Sequence, residues 1–252
     1  MKYAKCILGA VVLFTLLITL EMLKYSRHQQ SEKLDESVLD ILSRRLCGAV
    51  PVPKHINRKW PRSGDGNVYV PCAMDNSFSS DAKAAFAVAV VLFNLSTCIR
   101  FIARTNESDY LHIQPSSGCR SLVGRQGGLQ PLDLKYPECF EVGTIHHELL
   151  HALGFHHEHN RWDRDPYIRV LWDNIRPRDK GEFKKRPSLN QITPYDYNSI
   201  MHYNSLSSSK NGLPTIEALR DGVVFGMASS MSESDIERVN RVYCRGPDKP
   251  TI

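Results

Sequence analysis

The stretch TIHHELLHALGFHHEHNRWDRD, residues 144–165, contains six histidines. Side chains four residues apart on a helix project from the same face, so His147 and His151 can present two imidazoles to one metal ion. Glu148 follows the first of them and completes an H-E-x-x-H pattern, which sets a carboxylate beside the metal. His146 is rotated by about 100° from His147 and cannot join the pair. The pattern predicts a metal site on a helix.

The third ligand is predicted to follow a glycine. The helix is expected to run from about Thr144 to Leu153, and Gly154 lies just beyond it. A glycine at this position can adopt a left-handed conformation and turn the chain, so that His157 returns to the metal from outside the helix. The full pattern H-E-x-x-H-x-x-G-x-x-H predicts one Zn²⁺ per chain, bound by His147, His151 and His157. The remaining histidines of the stretch are interpreted as solvated or as supporting side chains: His146, His156 and His159.

Composition narrows the class of protein. The chain has 252 residues, 42% of them hydrophobic, and a net charge of +5. The basic residues are scattered, and the longest run, Lys184 to Arg186, has no interleaved aromatic residues. This favours a solvated basic face and no nucleic-acid partner.

The N-terminal region resembles an export signal. Lys2 and Lys5 precede an apolar run from Cys6 to Leu20, which is shorter than the roughly 20 residues that a membrane span requires. Residues 1–23 are therefore predicted to be a signal peptide, or alternatively an uncleaved signal anchor that would make a type II membrane protein. The expected organisation continues with a pro-segment (24–53), a catalytic domain (54–247) and a short tail (248–252).

An even number of cysteines behind an export signal indicates disulfides. Six follow the leader: Cys47, Cys72, Cys98, Cys119, Cys139 and Cys244. Asn94 and Asn106 begin N-x-S triplets and are candidate glycosylation sites.

Local patterns indicate an α+β fold. NVYVPC, CIRFIART and DYLHIQP are typical of strands, and residues 79–98 are expected to form a buried helix with Ser and Asp at its start. Residues 160–200 are predicted to be mostly irregular. A last helix is expected in SMSESDIERVNRVYC, where Ser232 and Asp235 match a capping box.

The histidine pattern and SIMHY (199–203), with Met201 44 residues after His157, match the metzincins and their methionine turn. The stretch beginning His157-Glu158 is similar to the HExxRxDRD of the astacin family. The resemblance covers roughly residues 54–246, and TCIRFIARTNESDY, TPYDYNSIMHY and SDIERVNRVYC are most similar to its hatching-enzyme subgroup.

This resemblance implies a two-lobed catalytic domain around a zinc cleft, with a mixed sheet and two helices in the N-lobe and a mostly irregular C-lobe ending in a helix. It implies that Tyr203 is an extra ligand that swings towards the transition state, and that Glu158 meets the buried N-terminal amine of the processed enzyme. It also implies disulfides Cys98–Cys244 and Cys119–Cys139.

The chain departs from the family at the pro-segment. Family members place a Gly-Asp aspartate on the zinc, but the corresponding residues here are Gly48 and Ala49. Cys47 lies nearby, and its thiolate is a potential zinc ligand that would keep the enzyme latent. A Cys47–Cys72 disulfide is the alternative.

The expected activity is that of a secreted zinc endopeptidase, acting as a monomer on extracellular or egg-envelope proteins, with Glu148 as general base. The alternative is a catalytically idle zinc-site protein that binds extracellular partners, which would be expected to have lost Glu148 or a ligand. Arg220 and Lys210 are candidates for a basic pocket that selects acidic residues after the scissile bond.

Overall fold

The computed structural model describes residues 58–245. The predicted leader, pro-segment and C-terminal tail lie outside this range, as does Cys47. Within it, no helix is both long and apolar enough to cross a membrane.

The N-terminal half is built on a five-stranded mixed sheet with strand order β2-β1-β3-β5-β4. Its strands are β1 (Val68–Met74), β2 (Ile99–Ala103), β3 (Tyr110–Pro115), β4 (Arg120–Ser121) and β5 (Leu129–Leu134). The first four strands in this order run parallel to one another, and only β4 pairs antiparallel, at the edge. The three predicted strands and the mixed sheet are confirmed.

Two helices pack together in this half: α1 (Ser80–Ser96) and α2 (Val142–Ala152). The Ser79 side chain caps α1 by accepting a hydrogen bond from the amide of Ala82. Between the helices, the buried His146 ring lies 2.8 Å from the carbonyl oxygen of Ala89 and edge-on to Phe93. These contacts place α2, and with it the H-E-x-x-H residues, against the core.

The prediction that the first helix is buried is wrong for its outer face. The inner face buries four residues, among them Phe86 and Phe93. The outer face leaves 53% of Val88 and 79% of Leu95 exposed, and Val91 and Leu92 are exposed beside them. Because apolar residues occupy both faces, the sequence shows no helical period that would separate the inner face from the outer one.

The C-terminal half has its own small core and little regular structure, as expected. Short 3₁₀ turns and a two-stranded antiparallel sheet, β6 (Ile168–Val170) with β7 (Ile216–Ala218), surround that core. Its buried members are Ile168, Ile175, Phe183, Tyr195, Ile216 and Phe225.

The described residues end in α3 (Glu233–Val239), which continues into a π-helical turn, Asn240–Cys244. The predicted capping box is present, with Ser232 and Asp235 each accepting a hydrogen bond from the other's amide. Disulfides join Cys98 to Cys244 and Cys119 to Cys139, the two pairs that the resemblance implies. Cys72 forms no disulfide with another cysteine of residues 58–245.

Two residues of α1 provide a matched test of its two faces. Phe93→Ala removes a fully buried ring that contacts Phe101 and His146, and we expect it to lower the free energy of unfolding by about 3–5 kcal/mol. Leu95→Ala truncates the most exposed apolar residue of the same helix and should change it by less than about 0.5 kcal/mol. Urea unfolding with the disulfides intact measures both. Equal losses would contradict this assignment of faces.

Candidate metal centre

The end of α2 brings the third histidine back towards the other two. Gly154 adopts φ +100°, a left-handed conformation that residues with a Cβ rarely occupy. The amide of Phe155 bonds the carbonyl of Leu150 at 3.0 Å, and that of Gly154 bonds the carbonyl of His151 at 2.8 Å. These two bonds form a Schellman motif, which ends the helix and reverses the chain. His157 is thereby returned to the face of α2 that carries the other two imidazoles.

The three predicted ligand atoms converge. Nε2 of His157 lies 3.2 Å from Nε2 of His147 and 3.1 Å from Nε2 of His151. Zn–N bonds of about 2.0–2.1 Å in a tetrahedral site require nitrogen–nitrogen separations of about 3.3 Å. These two separations are therefore close to what a tetrahedral metal ion needs, and all three ligand atoms lie within 4.8 Å of one another.

The surroundings of two ligands leave their Nε2 atoms free to bind a metal. Nδ1 of His147 lies 2.8 Å from the carbonyl oxygen of Ile200, and Nδ1 of His151 lies 2.8 Å from that of Phe155. Each Nδ1–H donates to its carbonyl, so Nε2 carries the lone pair. Burial also lowers the pKa of all three histidines, His157 included, because desolvation disfavours the charged imidazolium. The donor set therefore fits a cation.

Glu148 is a buried carboxylate in the same cleft. It is 4% exposed, and its Oε2 has no hydrogen-bond partner among the described residues. Burial, followed by the nearby charge of Asp133, raises the pKa of Glu148 to about 7. A carboxyl group with this pKa is suited to exchange protons near neutral pH.

Tyr203 lies beside the cluster, with its ring tilted against two histidine rings. Its ring centroid is 4.4 Å from that of His157 and 4.2 Å from that of His159. Burial, followed by the nearby Glu182, raises the pKa of Tyr203 to about 12, so its hydroxyl stays protonated at neutral pH. The phenol can therefore donate a hydrogen bond into the cleft.

Met201 is buried in a turn that contacts the segments carrying the histidines. The turn closes with a 3.0 Å bond from the amide of His202 to the carbonyl of Ser199. Its backbone meets two ligand segments: the Ile200 carbonyl lies against His147, and the Met201 carbonyl accepts from the amide of Glu158 at 2.8 Å.

Glu158 is fully buried and its carboxylate is well supplied with donors. Arg238 binds both oxygens at 2.9 Å, and the amide of Asp196 binds Oε1 at 2.9 Å. Arg161 and Asn190 donate from 3.2 and 3.3 Å. An N-terminal amine of a processed chain lies outside the described residues, so that implied partner stays a prediction.

Two of the other three histidines of the stretch are buried supporting side chains, not solvated ones. His146 is buried between α1 and α2, and His159 is fully buried with Nε2 3.0 Å from the carbonyl oxygen of Glu182. Both serve packing, and His159 also backs the Tyr203 ring. His156 is half-buried and lines the cleft without joining the three-histidine cluster.

The cluster opens into a cleft of about 540 Å³, lined by residues of both halves including Glu148, Tyr203 and the three histidines. Arg120 and Arg186 are the basic residues of its lining. Arg220 and Lys210 do not line it, so the structure does not support either as the basic residue of the pocket. Arg186 escaped sequence analysis because it ends the run Lys184 to Arg186, which has the appearance of a solvated surface.

The class of protein is defined by three features together: the mixed sheet, the H-E-x-x-H helix and the converging third histidine. They are typical of a metal-dependent peptidase. The family model Astacin, which describes a peptidase family of that name, matches residues 53–244. The chain thus belongs to the astacin family and is a metalloendopeptidase.

Individual relatives agree. The chain is 35% identical to the low choriolytic enzyme of medaka, Oryzias latipes, over 93% of this chain and 97% of that protein. It is 39% identical to the astacin-like metalloendopeptidase of chicken, Gallus gallus, over 81% of this chain and 50% of that protein. The chain therefore spans about half the length of the chicken relative.

The solved structure of medaka high choriolytic enzyme 1, a hatching enzyme zinc-protease, superposes with a TM-score of 0.72 at 41% identity. The match covers 74% of this chain and 95% of that one. It confirms the expected α+β fold and the resemblance to hatching enzymes.

Metal binding can be tested on two histidines of the same cleft. Saturating zinc should stabilise the metal-free protein by about 4 kcal/mol when free zinc exceeds its Kd about a thousand-fold. His151→Ala removes a cluster nitrogen and should abolish that gain, whereas His156→Ala should keep it. Thermal unfolding and metal content after dialysis are the measurements. A gain that survives in His151→Ala would contradict the three-histidine site.

Proposed function

We propose that the chain is a secreted zinc endopeptidase that cleaves extracellular proteins, with His147, His151 and His157 holding one Zn²⁺. The observation that carries this is the convergence of their Nε2 atoms, two of which lie within 3.2 Å of Nε2 of His157, in the cleft that Glu148 and Tyr203 share. Three neutral imidazoles are a donor set typical of a catalytic zinc site, which keeps a position open for reaction.

When bound, zinc polarises the substrate carbonyl and supplies a nucleophilic water at neutral pH. The residues around it do the rest. The carbonyls of Ile200 and Phe155 hold two imidazole rings in place through their Nδ1–H groups. This support keeps the ligands oriented and basic.

Glu148 is the proposed general base. Its Oε2 has no hydrogen-bond partner among residues 58–245. It accepts a proton from the attacking water, and the same carboxyl then gives a proton to the leaving amine. Burial raises the pKa of this carboxyl, which makes it a stronger base for the first transfer, and once protonated it is the acid for the second.

Tyr203 is the proposed oxyanion donor. Its ring is confined between His157, His159 and Phe183, so its hydroxyl is presented from a fixed direction. A donor placed in advance at the developing negative charge stabilises the transition state more than the ground state.

The proposed secretion rests on the N-terminal sequence and the disulfides, and the proposed substrates rest on the names of the relatives. The apolar run Cys6 to Leu20 and the two disulfides support secretion; membrane association would follow only if that run stayed uncleaved. The relatives named choriolytic enzymes support egg-envelope proteins as substrates. We propose a monomer that is glycosylated at Asn94 and Asn106.

Two alternative roles are proposed for Cys47 before processing. Either the Cys47 thiolate covers the zinc before processing, or Cys47 pairs with Cys72. Burial raises the pKa of the Cys72 thiol, which keeps it protonated and slow to react as a nucleophile. Peptide mapping of the secreted chain under non-reducing conditions separates the two forms.

Glu148→Gln tests the proposed base. The amide cannot accept the proton, so we expect kcat to fall by about 10²–10⁴-fold while zinc stays bound at one equivalent. Hydrolysis of a quenched fluorescent peptide library by the processed protein, with and without chelator, is the measurement, and the cleaved peptides report specificity.

Glu182→Gln is the matched control, since it also removes a carboxylate from the cleft lining but should leave kcat within about threefold of wild type. If Glu148→Gln hydrolysed peptides as fast as the wild type with zinc bound in both, Glu148 would not be the base. If neither protein hydrolysed any peptide while both held zinc, the idle binding protein would replace the enzyme.

Tyr203→Phe tests the proposed oxyanion donor. Loss of one such donor costs about 10²–10³-fold in kcat, and KM should change little because the hydroxyl acts mainly in the transition state. Steady-state kinetics on one peptide identified from the library separates the two constants. A variant with raised KM and unchanged kcat would assign Tyr203 to substrate binding instead.

A further inference from the structure

One turn of α3 carries two buried charged residues that contact segments next to the cluster histidines. Asp235 and Arg238 are three residues apart and are 2% and 1% exposed. Their side chains meet at 3.3 Å. Each also reaches a segment that carries or orients a histidine of the cluster, so one helical turn contacts the site by two routes.

The first route runs from Arg238 to His157. The guanidinium binds Glu158 through two nitrogens, each at 2.9 Å from a different carboxylate oxygen. Such a two-point pair fixes the orientation of both groups. Glu158 follows His157 directly in the chain, so the pair also fixes the backbone that carries this imidazole.

Arg238 is itself held rigidly. Its Nε donates to Thr193 Oγ1 at 2.6 Å, and one of its terminal nitrogens also donates to the carbonyl of Pro194 at 3.2 Å. A lysine could keep the charge at this position, but it has no planar fork with which to make these bonds.

The second route runs from Asp235 to His147. Asp235 accepts from the Ser199 hydroxyl at 2.6 Å and from the Ile200 amide at 2.9 Å. The carbonyl of the same Ile200 accepts from Nδ1 of His147 at 2.8 Å. The carboxylate therefore positions the residue that orients this ring.

The remaining ligand does not depend on α3. Nδ1 of His151 bonds the carbonyl of Phe155, four residues away on its own Schellman turn. Two of the three proposed ligands thus depend on residues that are distant in the chain. Arg238, which binds Glu158, lies 80 positions after it, and Asp235, which binds the Ile200 amide, lies 35 positions after it.

We propose that Asp235 and Arg238 are positioning residues that set the zinc affinity of the centre by orienting His147 and His157. This inference rests on the proposed zinc site. Substitution of a group that supports a ligand typically weakens metal binding by about 10–100-fold, and we expect losses of that size for Arg238→Lys and Asp235→Asn.

The experiment measures the zinc Kd of the full chain by competition with a chromophoric chelator, and the visible absorption of the cobalt-substituted protein. Arg241→Lys is the matched control for the arginine, because Arg241 lies on the same helical segment and its ion pair is with the exposed Glu237. Glu233→Gln is the matched control for the aspartate, since it changes a carboxylate to an amide at an exposed position of the same helix.

We expect weaker zinc binding and an altered cobalt spectrum in the two test variants, and wild-type behaviour in both controls. A role confined to stability would lower the unfolding midpoint and leave zinc affinity and spectrum unchanged, and that result would overturn the proposal. Ser199→Ala severs one bond of the second route and supplies a milder variant, expected to weaken zinc binding several-fold, if Asp235→Asn fails to fold.

Zinc binding by the wild-type chain distinguishes a failure of the positioning role from a failure of the proposed zinc site. If the wild-type chain bound no zinc, or if His151→Ala bound it as tightly, the proposed zinc site would fail. If wild-type binding were tight and lost in His151→Ala but unchanged in Arg238→Lys and Asp235→Asn, only the positioning role would fail.

Discussion

Everything at the centre depends on keeping three imidazole lone pairs aimed at one point. The Nε2 atoms of the uncharged rings lie 3.1–3.2 Å from that of His157. They make no favourable interaction with one another, because each presents a lone pair. The arrangement is therefore stable only if the surrounding structure imposes it. Buried carbonyls fix two of the rings, and burial keeps the rings neutral. A cation at the same point would convert this unfavourable grouping into a favourable one.

What sequence analysis predicted well is local. The spacing of His147, Glu148 and His151 follows from helix geometry, and Gly154 marks the chain reversal that returns His157. The capping box at α3 was also visible as a short motif. Each of these depends on a few neighbouring residues, which a single sequence displays directly.

Sequence analysis missed contacts between residues far apart in the chain, and it did not show which face of a helix is buried. Nothing near Asp235 or Arg238 indicates that they contact Ile200 and Glu158, because those contacts join segments 35 to 80 residues apart. The exposed face of α1 could not be predicted, because its apolar residues show no helical periodicity. The burial of His146 was equally invisible, because its carbonyl partner comes from a different helix.

The distance along the chain between α2 and α3 also has a consequence for biosynthesis. A ribosome releases the residues of α2 long before Asp235, Arg238 and Cys244 emerge, so the histidines of a nascent chain precede the α3 contacts to Ile200 and Glu158. The Cys98–Cys244 bond closes only when the last helix is available, across 146 residues. On the proposed positioning roles of Asp235 and Arg238, completion of the centre waits for that helix to emerge, and a chain that terminates before it carries the three histidines without the α3 contacts that position two of them.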